Sequence, residues 1–178
     1  MKISSHGSAN TDQYWLQIAA HTSARNASGA PWPLQLQVAA LLGNGDIEAS
    51  VTKFDGTAPS TWAVAIITAE ARLLKVSMQF EDEQDRNTTE QTPVSLTVNE
   101  SWVRRLSDVV SLHIGKTDMR TNAFHQVIPD VLDVADVQVG FRDGSVADLV
   151  VDQLETTSND DRARSDGFID ALRSHTGL

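Results

Sequence analysis

The chain has 178 residues, 40% of them hydrophobic, enough for one well-buried core and too few for two comfortable domains. Its 24 acidic and 14 basic residues leave a formal charge of -10, which argues against nucleic acid or an anionic membrane surface as the main partner. Cysteine is absent, which excludes a disulfide framework, a thiolate metal site and a cysteine nucleophile.

Met1-Lys-Ile-Ser-Ser-His-Gly-Ser8 has no apolar core of the kind a signal peptide needs, and no run of about 18 apolar residues occurs, so a soluble, cytoplasmic protein is expected. Asn10-x-x-Gln13 is like a capping box, and Trp15, Ile18, Ala19 and Thr22 follow at helical spacing, predicting an amphipathic helix over roughly 11 to 24. Its narrow stripe of Tyr14, Trp15 and Ile18 needs a partner surface, either the chain's own sheet or another protomer. Asn26-Ala-Ser-Gly-Ala-Pro31 reads as a linker, because Gly and Pro interrupt both regular structures. The resulting division is an N-terminal extension over 1–30 and one domain over 31–178.

Pro33 suits the first turn of a second helix, with Leu34, Val38, Leu41 and Leu42 on one face and Gly43 past its end. Leu34, Leu36 and Val38 also alternate as in a strand; the Leu41-Leu42-Gly43 ending favours the helix. From Gly43 to Phe80 the pattern predicts three consecutive antiparallel strands. In the first, Ile47, Ala49 and Val51 form a buried face and Glu48, Ser50 and Thr52 a solvent face. A turn at Asp55-Gly56 leads to a run from Trp62 to Thr68 that is apolar enough to be buried on both faces. Thr68 to Arg72 is a second corner, and Leu73 to Phe80 leads back.

Glu81 to Gln91 is polar throughout and reads as an exposed loop; it lacks the Gly and the closing Glu that a calcium loop requires. Val94, Leu96 and Val98 alternate, and Trp102 to Gly115 supplies two further strand candidates with a corner near Ser107-Asp108. Lys116 to Asp130 reads as a long mixed loop, with Pro129 opening a new element. Over Val131 to Glu155 a hairpin is predicted: Val137, Val139 and Phe141 alternate, Asp143-Gly144 turns tightly, and Val146 with Leu149 to Val151 returns. A last helix has N-cap candidates at Ser158 to Asp161, apolar Phe168, Ile169 and Leu172, Arg173 and His175 in its last turn and Gly177 past it.

The residues Leu41, Leu42, Gly45, Asp46, Ile47, Trp62, Ile67, Thr68, Arg72, Leu73, Leu74 and Val76 follow a pattern that resembles the opening of bacterial pleckstrin-homology-like domains. The resemblance covers about Trp32 to Thr176. It implies a mainly β (α+β) fold, a small antiparallel β-barrel of about seven strands capped by a C-terminal helix, here with an N-terminal helical extension. Lipid-binding members are similar to one another in carrying basic residues across the first hairpin. In this chain only Lys53 stands beside that loop, which counts against a lipid headgroup.

Chemistry-bearing motifs are scarce. The five histidines, at 6, 21, 113, 125 and 175, include no pair at helical metal-ligand spacing, and His113, in an apolar run, reads as a hydrogen-bonded structural residue. No nucleophile elbow or phosphate-binding glycine loop occurs, so neither catalysis nor a cofactor or metal is expected. Arg104, Lys116 and Arg120 are the candidates for a local anion patch. The reading that follows is a non-catalytic interaction module, binding a protein or peptide or forming a homo-oligomer, with Tyr14, Trp15 and Trp32 as candidate contacts. Two alternatives are a peripheral membrane or lipid-binding domain, and a small-ligand binder or enzyme using the barrel mouth. Lysine occurs only at 2, 53, 75 and 116 while arginine and aspartate are plentiful, a usage typical of high-GC bacteria or their phages.

Overall fold

A computed structural model of the chain describes residues 8–24, 29–81, 95–155 and 158–178. Residues 26–28 of the expected linker and 82–91 of the expected acidic loop lie outside these residues, as does Val94. Helix α1 runs over Ser8–Thr22 and α2 over Trp32–Leu42. The strands are β1 Ile47–Asp55, β2 Ser60–Thr68, β3 Arg72–Phe80, β4 Leu96–Arg105, β5 Val109–Thr121, β6 Val127–Phe141 and β7 Val146–Asp148, and helix α3, Asn159–Thr176, ends the series. They form two antiparallel sheets, β1-β2-β3-β4 and β5-β6-β7, so the described residues are mainly β with helices at both ends. No helix among them is long and apolar enough to cross a membrane.

The helix ends follow local chemistry. Ser158 caps α3, its hydroxyl accepting from the Asp161 amide, and Asp160 and Asp161 occupy the first turn where the helix dipole favours negative charge. Gly177 adopts φ 70° past the last turn and donates its amide to Arg173 O, a left-handed cap that glycine takes without steric cost. Helix α1 begins at Ser8, so Asn10 lies within it and not at its cap.

The first sheet is the middle layer. Alternate residues of β2 serve opposite faces: Ala65 and Ile67 join a core with sheet β5-β6-β7 and α3, including Val137, Val139, Phe141, Phe168 and Leu172. Trp62, Val64 and Ile66 join a second core with α1 and α2, including Ile18, Leu34, Val38 and Leu42. Burial on both sides is why β2 reads as a continuous apolar run. It also corrects the expected solvent face of β1: Ser50 is 1% exposed, because α1 covers that face and brings His21 Nδ1 within 2.9 Å of Ser50 Oγ. Within the first core, Lys75 takes its place in the row Val51, Ala65, Lys75, Trp102. It is buried, and its ammonium is held by Glu100 on β4, which satisfies the charge locally.

The largest correction concerns the expected loop from Lys116 to Asp130. It is instead the outer half of a long hairpin: β5 continues to Thr121 and β6 begins at Val127, with Met119 opposite Leu132 and Thr121 opposite Val127. Conversely, the expected return strand after Gly144 is regular for only three residues, because Val150 adopts φ 55° and interrupts the ladder. The chain still runs beside β6, with the Leu149 amide donating to Val137 O and a further bridge between Ala135 and Asp152, and Leu149 and Val151 stay in the core. His113 is also not a buried structural histidine; it stands exposed on the outer face of β5 opposite Gln138.

Candidate interaction surface

Tyr14, Trp15 and Trp32, the sequence candidates for partner contact, come together at the α1–α2 junction. Trp15 and Trp32 have ring centroids 4.7 Å apart, and Tyr14 meets Trp15 edge to face at 5.6 Å. The Tyr14 hydroxyl donates to Gly43 O at 2.8 Å, and burial pushes its pKa up. All three are half-buried, and Tyr14 and Trp15 pack against the second core, so α1 docks on the chain's own sheet.

The three candidate anion-patch cations are held by separate carboxylates. Arg104 lies over Phe141, 4.4 Å from the ring centroid, and donates to Asp143 Oδ2 at 2.8 Å and to Ser145 Oγ at 2.9 Å. Bonds from the Ser145 side chain and backbone, and then from Arg104, bring the Asp143 carboxyl down to about 2. Lys116 pairs with Asp136 at 2.9 Å. Arg120 is mostly buried, its Nε 2.6 Å from Asp133 and its two terminal nitrogens 2.7 and 2.8 Å from the Asp166 carboxylate, a bidentate arrangement.

Arg120 is the pin that seats the outer hairpin on α3. Arg162 of α3 lies 3.4 Å from the buried Asp133 and donates to Thr121 O. Gln153 joins the network, donating to Asp166 Oδ1 at 2.6 Å and accepting from the Val134 amide at 2.9 Å. Two strands that bury little apolar area are thereby fixed by charge-assisted bonds.

Beyond the pin the hairpin tip is a built turn. Asn122 Oδ1 accepts from the amides of Phe124 and Gln126, and the Asn122 amide donates to Gln126 O. This leaves Phe124 82% exposed, with Met119, Val127 and Leu132 also exposed on the adjoining strand ends. The two outer edges of the ribbon differ. On β6, Pro129 has no amide hydrogen and Asp130 adopts φ 61°, which interrupts pairing there. On β5, the terminal strand of its sheet, no described strand occupies the outer edge. Sequence reasoning missed this surface by taking 116–130 as a loop; the available signal was Asn122, a residue suited to an Asx turn, flanked by Met119 and Val127.

Compared with known proteins, the chain matches no family model, no curated protein and no solved structure.

Proposed function

We propose that this chain is a non-catalytic interaction module on a pleckstrin-homology-like scaffold, which binds an extended segment of a protein partner, or of a second copy, along the outer edge of β5. The observation that carries the reading is Phe124, presented on a hydrogen-bonded tip, next to exposed Met119, Val127 and Leu132 and to β5, whose outer edge no described strand occupies. Exposed apolar side chains grouped on a firmly held element are typical of contact surfaces, and strand addition satisfies the free backbone groups of an edge. The order of elements, four strands, three strands and a C-terminal helix, is that expected of the scaffold. The acidic balance and the individually paired Arg104, Lys116 and Arg120 favour this reading over an anionic lipid headgroup.

The test is sedimentation velocity over a concentration series, joined to amide exchange of β5 with and without peptides from a displayed library. Self-association or peptide binding that protects β5 amides, and that Met119→Lys with Phe124→Ser weakens about tenfold or more, supports the reading. A chain that stays monomeric and for which no peptide protects β5 overturns it.

A further inference from the structure

Helices α1 and α3 flank β1 and leave between them a groove of about 600 Å³, within the ~300–1,000 Å³ of small-ligand sites. Strand β1 is the terminal strand of its sheet and contributes Glu48, Ala49 and Ser50 to the groove. Along the α3 wall, Ala163, Gly167, Ala171 and Ser174 present small side chains on one arc of the helix. A Cβ added to Gly167 would meet nothing within 4 Å, so the space beside it is open.

The groove has a charge polarity. At one end Arg164 donates through Nη1 to Ser23 O at 3.0 Å, and among the described residues no carboxylate pairs with it. His21, beside it, is bonded through Nδ1 to Ser50, and burial, with the Arg164 charge second, lowers its pKa, so the ring is neutral near pH 7. Toward the other end, Glu48 is taken by His175 at 2.8 Å, while Asp170 has no hydrogen-bond or ion-pair partner among the described residues. One cation and one anion with open valences thus face the same groove.

We propose that this groove binds a short linear peptide with free termini, its carboxylate on Arg164, its ammonium on Asp170 and its extended backbone beside β1. Six residues of α3 separate the two charges, about 9 Å of helix rise. That span fits about two to three extended residues at roughly 3.3–3.6 Å each. The small walls admit side chains of modest size, and the strand beside the peptide offers main-chain groups as further partners.

The probe is trialanine, titrated into the full chain and followed by calorimetry and by amide chemical shifts. Saturable binding is expected, with shifts at Ala49, Ser50 and Gly167. N-acetylation or C-amidation of the peptide is expected to weaken binding about tenfold each, the loss of one charge-assisted contact. Asp170→Asn should remove the discrimination against the acetylated peptide, Arg164→Gln that against the amide, and Gly167→Leu should abolish binding while the circular-dichroism spectrum is kept. No saturable shifts at these residues, or equal binding of free and blocked peptides by the unmutated chain, overturns the proposal.

Discussion

Strand β2 has a strand on each edge and an apolar core on each face, whereas the outer half of β5 has one strand neighbour and mostly exposed side chains. The first is held by burial, which is non-directional and grows with area; the second is held by a few directed bonds among Arg120, Asp133, Gln153, Arg162 and Asp166. An element can therefore be ordered without a core of its own where charge-assisted bonds tie it to a neighbouring helix. It is then free to carry apolar groups on its outside.

Mutations in the two regions should separate these modes. The largest effect belongs to the middle layer: Trp62→Ala, at a fully buried side chain stacked 4.5 Å from Phe54, should cost about 3–5 kcal/mol in urea unfolding. A loss below about 1 kcal/mol would show that the second core is not the stabilising layer. Next, Asp133→Ala leaves Arg162 without its ion pair and Arg120 with one partner, and should cost about 3 kcal/mol, with faster amide exchange confined to 116–132. Exchange that rises uniformly would mean that the ribbon is not separately anchored.

The third test is acid. Hydrogen bonds from Arg120, and then from Gln153, hold the Asp166 carboxyl below the ordinary carboxylate range, so it stays ionised to lower pH in the folded chain than in the unfolded one. Its contribution is whole above that ordinary range and is lost as pH falls through the depressed folded value. Urea midpoints measured from pH 6 downward should fall less steeply for Asp166→Asn than for the parent chain; parallel curves would remove Asp166 from the linkage. The smallest effect on stability is expected at the tip: Phe124→Ser should change unfolding by under about 0.5 kcal/mol, since the side chain is exposed. A larger loss would make Phe124 a packing residue and not a contact residue.

The three-strand meander from Ile47 to Phe80, the α2 ending at Leu42-Gly43 and the Ser158 and Gly177 caps of α3 are legible in the sequence. These are local matters, in which side-chain period and turn chemistry act within a few residues of the position they decide. Which element covers a given face is not local. Nothing adjacent to Ser50 announces that α1 will lie over it, and nothing adjacent to Arg120 announces Asp166, forty-six positions away. The outer ribbon reads as loop because its strands lack the apolar alternation that burial imposes, and its order comes from partners on a distant helix. The groove beside β1 arises where three segments far apart in the chain converge. The sequence determined the three-strand meander, the end of α2 and the caps of α3; the tertiary structure alone decided that 116–130 pairs as a ribbon, what covers the second face of β1, which charges find partners and which remain open, because these depend on contacts between residues far apart in the chain.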